Sequence, residues 1–188
     1  MTCDLVDDIW IFGYGSLVWK TGFHFADSHV GHIRHFQRRF WQRSTDHRGT
    51  EEKPGRVVTL IPAPLEEASL VWGVAYRIPA SDWPKIKEYL DYREKNGYET
   101  HTVAVYANEG DTCPLVEKAI IYVATEDNPE YLGPDSEESI ANQIAHSVGP
   151  SGDNSEYLFQ LQNWTIQHPK TRCAHIDRLC ELVRAIQS

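Results

Sequence analysis

Over the first two-thirds of the chain, apolar residues come in short runs broken by glycine, proline and polar clusters. Over the last third they recur at three- and four-residue spacing. The first rhythm predicts strands and the second helices. "DIWIF" is an apolar run that ends at "GYGS", where two glycines interrupt it. "RRFWQRS" and "GRVVTLI" are β-branched and aromatic, with the turn-like "KPG" between them. "SLVWGVAYRIP" is a strand bounded by Pro79. "YETHTVAVYA" alternates, Val103 and Val105 facing one way and Thr102 and Ala104 the other. "KAIIYVA" follows the loop "NEGDTCP". The segment "HVGHIRH" reads as strand or loop.

One helix interrupts the strands, from about Asp82 to Lys95, with Trp83, Ile86 and Leu90 as its apolar stripe. Later, "GPDSEESIANQIAHSVG" has Asp135 or Ser136 as N-cap, acids in its first turn and Gly149 as its stop. "GDNSEYLFQLQNWTIQ" begins in the same way. "CAHIDRLCELVRAIQ" carries Ile176, Leu179, Leu182, Val183 and Ile186 at helical spacing. Strands with one inserted helix, and helices gathered late, predict an α+β fold around a mixed or antiparallel sheet.

Composition narrows the partners. The 188 residues are 41% hydrophobic and carry a formal charge of -9. That length predicts one domain over residues 1–188, with core enough to carry a pocket. The acidic balance argues against nucleic acid and against an anionic membrane surface. No apolar run is long enough to span a bilayer, and "MTCDLVDDIW" lacks the features of a signal peptide. Four scattered cysteines, Cys3, Cys113, Cys173 and Cys180, suggest no disulfide framework, so a reducing cytosol is the expected compartment.

Three stretches carry possible chemistry. In "IFGYGSLVW" a strand runs into a glycine-flanked tyrosine. Such a loop brings backbone N–H groups close to a carboxylate or an oxyanion, although an ordinary tight turn has the same spelling. In "RHFQRRFWQRSTDHRG", a strand with Phe40 inward and its arginines outward competes with an arginine aimed at a small acid's carboxylate. Ser44, Asp46 and His47 are close only in sequence, which makes no catalytic triad. His29, His32 and His35 would not share one face of a strand and read as surface histidines rather than a zinc site. Glu94, one turn past Leu90, lies at the edge of the helix stripe. Periodicity admits both an inward carboxylate and a solvated one. A carboxylate at a helix C-terminus, and still more a buried one, has a raised pKa, as a general base near neutral pH requires.

Taken together, "FGYGSLVWK", "RRFWQRSTDHRG", "KPGRVVTL", "VWGVAYR", "YLDYREKNGY", "NPEYLGP" and "GPSGDNSEYLF", in this order from Trp10 to about Phe159, resemble the ChaC-type glutathione-specific gamma-glutamylcyclotransferases. Leu17 after Tyr-Gly-Ser, where the wider superfamily has Asn, points to the ChaC branch. The resemblance implies a gamma-glutamylcyclotransferase-like mixed β-barrel with flanking helices. It implies cleavage of reduced glutathione to 5-oxoproline and cysteinylglycine, with no cofactor and no metal. It makes Glu94 the catalytic residue, and Ile11, Phe12, Gly13, Tyr14, Gly15, Ser16 and Leu17 the segment that holds the γ-glutamyl group. Tyr157 is a further pocket residue, and Arg38, Arg39 and Arg56 are candidates for the glycine carboxylate. A cyclotransferase for other γ-glutamyl amides, or a non-catalytic binding module on the same fold, would share much of this pattern.

Overall fold

The computed structural model describes residues 8–64, 69–93 and 98–188. Among them a five-stranded mixed sheet has the order β2-β5-β1-β7-β6. Its strands are β1 (Ile9–Gly13), β2 (Asp27–Arg34), β5 (Leu70–Ile78), β6 (Glu99–Val105) and β7 (Val116–Val123). The central β1 runs antiparallel to β5 and parallel to β7. Position in the sheet explains the spelling of each strand. Ile11 and Phe12 of β1, and the whole run from Val71 to Tyr76 in β5, are buried on both faces, so these strands read as unbroken apolar runs. The edge strand β6 begins with four exposed residues, Glu99 to Thr102, and β2 alternates over its first half.

A second ladder pairs β3 (Phe36–Ser44) with β4 (Gly55–Pro62), antiparallel. The closed barrel expected from the resemblance is not found: the five-stranded sheet and the β3–β4 ladder are separate. The outer edges of the larger sheet meet at one isolated bridge, His32 with Tyr106, just past the end of β6. Gly31 permits that approach, since a Cβ there would lie 2.8 Å from the Tyr106 carbonyl oxygen.

The helices are α1 (Trp83–Arg93), α2 (Glu137–His146), α3 (Asn154–Gln167) and α4 (Ala174–Gln187). None among the described residues is long and apolar enough to cross a membrane. Ser136 caps α2, its side chain accepting from the Ser139 N–H. The helix stops at His146, three residues before Gly149. The buried Ser147 hydroxyl turns to the Pro54 and Gln143 carbonyls, and the chain enters a two-residue hairpin, β8 (Val148–Gly149) with β9 (Gly152–Asp153). In α4 the buried stripe is Ile176, Leu179, Cys180 and Val183, while Ile186 is largely exposed.

Two buried arginines depart from the sequence reading. Arg38 shares parity with Phe40 and therefore points inward, where its guanidinium donates to the Trp72 carbonyl oxygen. Arg56 donates to Gln143 Oε1 (2.6 Å), Asp135 Oδ2 (2.9 Å) and the Phe40 carbonyl (3.2 Å). Both are structural groups inside the fold. Burial lowers the pKa of each guanidinium, and Asp135 partly offsets this for Arg56.

Candidate active site

Where β1 ends, the chain folds back on itself. Gly13, Tyr14 and Gly15 lead into a single 3₁₀ turn, Ser16–Val18, closed by Val18 N–H to the Gly15 carbonyl and Lys20 N–H to the Ser16 carbonyl (2.8 Å). Tyr76 of β5 fixes the turn from below, its hydroxyl donating to the Leu17 carbonyl at 2.7 Å. Burial pushes the Tyr76 phenol up to about 12, so it stays a neutral donor. Tyr14 is buried and donates to the Tyr122 carbonyl on β7 at 2.7 Å. Space explains the glycines. A Cβ on Gly13 would sit 2.6 Å from Leu17 Cβ, and one on Gly15 would meet the Tyr157 hydroxyl and Val58 at 3.0 Å each.

This turn forms one wall of a cavity of about 440 Å³, within the size range of small-molecule sites. Phe12 through Leu17 line it; Ile11 is fully buried and does not. Tyr157 lines it from α3. It is aimed there by Asn154, whose amide accepts from the Arg56 N–H and donates to the Arg56 carbonyl, at 2.7 Å each, like a neighbouring strand. Tyr157 also packs edge-on against Trp19 and Phe40.

Glu94 lies outside the described residues. The residues on either side of that gap, Arg93 and Tyr98, both line the cavity. Helix α1 is held by the buried Ile86 and Leu90, and by the Tyr122 hydroxyl donating to Asp91 Oδ1 at 3.1 Å. The Lys87 ammonium and the Tyr122 hydroxyl hold the Asp91 carboxyl below the usual range, against a smaller opposing effect of burial.

The cationic wall differs from the sequence expectation. Arg38, Arg39 and Arg56 do not line the cavity; Lys20, Arg43, Arg48 and Arg93 do. Arg48 donates to Glu156 Oε2 (2.7 Å) and to the Asp153 carbonyl (2.8 Å), which holds it beside Tyr157. The three candidate arginines taken from the resemblance lie outside the cavity lining. The useful signal was "DHRG", a loop after a strand rather than the strand itself. Ser44 of the same stretch is buried and accepts from the Arg48 N–H, while His47 lies 3.9 Å from Asp46 and bonds Ser151 rather than Ser44, so these neighbours form no triad.

The three histidines in and just after β2 also separate. His29 stacks on Trp10 beside Asp27, and His35 is exposed with a positive φ of 65°. His32 is not at the surface: it is fully buried between Trp72 and Tyr106. Among the described residues no group of three or more His, Cys, Asp or Glu side chains is arranged to hold a metal ion.

The family model for the ChaC-like protein matches residues 9–186. The chain belongs to the ChaC-like family. Its ChaC-like character therefore extends past Phe159 into α4, beyond the stretch carried by the short motifs. Glutathione-specific gamma-glutamylcyclotransferase 1 of Homo sapiens is 44% identical over 178 residues, 93% of this chain and 78% of that protein. Glutathione-specific gamma-glutamylcyclotransferase of Schizosaccharomyces pombe is 41% identical over 190 residues, 94% and 92% of the two chains. A crystal structure described as a gamma-glutamyl cyclotransferase specific to glutathione from yeast superposes with a TM-score of 0.86 at 34% identity, covering 95% of this ChaC-like chain and 96% of the other.

Proposed function

We propose that this protein is a gamma-glutamylcyclotransferase that cleaves reduced glutathione to 5-oxoproline and cysteinylglycine, working as a single domain in the cytosol. One observation carries the reading. The loop Gly13–Leu17 and the two residues that border the 94–97 gap, Arg93 and Tyr98, face the same cavity, whose wall is cationic although the whole chain has a charge of -9. A tripeptide with two carboxylates and an internal amine nucleophile suits such a site.

The reaction is an exchange within one molecule. The α-amine attacks the γ-carbonyl carbon, a new C–N bond closes the lactam, and the bond to the cysteine nitrogen breaks. The amine must first lose a proton. Its pKa near 8 against about 4.3 for a glutamate makes that transfer cost about 5 kcal/mol. Raising the glutamate by about two units removes roughly 2.7 kcal/mol of the cost. In this reading Glu94 is the acceptor. The same carboxyl then protonates the departing cysteine nitrogen. Backbone N–H groups of Gly15, Ser16 and Leu17 receive the tetrahedral oxyanion. Holding amine and carbonyl in a reactive conformer supplies an effective molarity on the order of 10⁵ M or more. Neither water, an enzyme nucleophile nor a metal enters the sequence of bond changes.

The test compares 5-oxoproline release from reduced glutathione, oxidised glutathione and γ-glutamyl-alanine, with and without chelator. Reduced glutathione is expected to have the highest kcat/KM by at least about tenfold, a difference of about 1.4 kcal/mol in transition-state binding. Chelation should leave the rate unchanged. Equal kcat/KM across the three would favour a broad γ-glutamyl amide cyclotransferase, and absence of any product would leave a binding module.

A further inference from the structure

The end of α1 is tied to the substrate loop by a side chain that the reaction scheme does not use. Arg93 is the last described residue of the helix. Its guanidinium donates through Nη2 to Ser16 Oγ, and Nη1 lies 3.4 Å from both the Lys20 carbonyl and the Tyr89 hydroxyl. Ser16 and Lys20 are the two ends of the turn that follows Gly15, and Lys20 N–H bonds the Ser16 carbonyl. The fork of Arg93 therefore spans the whole turn. Arg93, Ser16 and Lys20 all line the cavity. One helical turn earlier, Tyr89 packs edge-on against Phe23 of the same loop.

Other contacts of α1 look elsewhere. Ile86 and Leu90 enter the core, and Asp91 bonds Tyr122 on β7. Those contacts hold the helix to the sheet, whereas Arg93, beside the Tyr89–Phe23 packing, ties it to the Ser16–Lys20 turn. We propose that Arg93 is a positioning residue, whose guanidinium clamps the last described turn of α1 to the Ser16–Lys20 turn and so fixes the place of the loop that holds the γ-carbonyl. This rests on the cyclotransferase reading of the site. A misplacement of about 1 Å at a reacting group can cost on the order of 10²-fold in rate. A fork across two acceptors cannot be copied by a lysine, which offers a point charge.

The experiment measures kcat and KM for 5-oxoproline release from reduced glutathione in wild type, Arg93→Ala, Arg93→Lys, Ser16→Ala, the Arg93→Ala/Ser16→Ala pair and Glu94→Gln. Arg93→Ala is expected to lower kcat about 10- to 100-fold while KM moves by less than about threefold, because the loop amides and the rest of the cationic wall remain. Arg93→Lys should recover little of the loss. In the pair, kcat should fall no more than about threefold below Arg93→Ala alone, since both changes break one clamp; independent effects would multiply. If Arg93→Ala does not fold, Ser16→Ala carries the test, with a fall in kcat at steady KM supporting the clamp and a rise in KM at steady kcat overturning it. Wild-type kcat in Arg93→Ala or Arg93→Lys, or multiplicative loss in the pair, would overturn the clamp. If the wild type is active and Glu94→Gln is not, that failure is the clamp's alone. No product from wild type, or an active Glu94→Gln, overturns the underlying reading as well.

Discussion

At Gly15 the backbone is not left-handed, with φ -114°. What forbids a side chain there is the Tyr157 hydroxyl and Val58, each 3.0 Å from where a Cβ would stand. The glycine of the loop is thus required by close approach rather than by a left-handed conformation. Gly15→Val adds three carbons at that contact, displacing both Tyr157 and the loop. It should lower kcat/KM by on the order of 10²-fold, with kcat and KM both affected. Steady-state kinetics on the folded variant checks this, and wild-type kcat/KM would mean that the loop does not hold the substrate. The same contact explains why Tyr157 was legible only through resemblance. Nothing in the spacing of "SEYL" shows that Asn154 imitates a strand partner of Arg56 and so aims the next turn of α3 at Gly15. Arg38 was misread for a simpler reason. Its charge suggested the surface, but its parity with Phe40 placed it inside, where a carbonyl satisfies part of its fork.

Helix α1 shows how far element-level reading reaches. Its existence, its Ile86–Leu90 stripe and its position between strands all follow from a 3.6-residue period. The partners of its polar residues do not, since Tyr122 and Ser16 lie far along the chain from Asp91 and Arg93. Leu90 is fully buried, and Leu90→Ala should cost about 2–5 kcal/mol of stability. The loosened helix should also lose kcat. Lys87→Ala, which removes an exposed i,i+4 partner of Asp91, should change stability by no more than about 0.5 kcal/mol and leave kcat alone. Denaturant titration of both variants tests the contrast, and equal effects would mean that the stripe does not anchor the helix. The late helices were legible by the same period. The end of α2 was not, because buried Ser147, rather than Gly149, turns the chain. Strand β2 stayed ambiguous because Gly31 interrupts its pattern, for a reason visible only across the sheet at Tyr106.

For the molecule as a whole, two buried histidines set the direction of its pH response. Among the described residues His32 has no hydrogen-bond partner on either ring nitrogen. Burial, with a lesser contribution from Arg34, lowers its pKa below 6.5, against Glu109 and Asp111. His175 accepts the Phe40 N–H at 3.3 Å and bonds Glu137 at 2.9 Å, joining α4 to β3 and α2. Burial again lowers its pKa, with Glu137 opposing and Arg39 assisting. Both folded-state values lie below the unfolded one. Their contribution to stability is therefore complete above about pH 6.5 and is lost as pH falls from there through the folded values. The denaturation midpoint should be lower at pH 5.5 than at pH 7.5, and His32→Phe should reduce that difference without loss of stability at pH 7.5. A midpoint independent of pH over this range would contradict the account. The mixed sheet was legible from strand spelling, whereas the meeting of its outer edges was not. Among the described residues that meeting is the bridge of His32 with Tyr106.

The proposed mechanism turns on one carboxylate, that of Glu94. The most direct measurement is the turnover number for 5-oxoproline from reduced glutathione in Glu94→Gln, beside Glu88→Gln and Glu99→Gln as controls. Gln keeps the shape but can neither accept the amine's proton nor donate one to the leaving nitrogen. General acid–base catalysis is worth about 10²- to 10⁴-fold, so kcat of folded Glu94→Gln should fall by at least that range, with glutathione binding little changed and both controls active. A folded Glu94→Gln protein that releases 5-oxoproline at near the wild-type rate would contradict the mechanism.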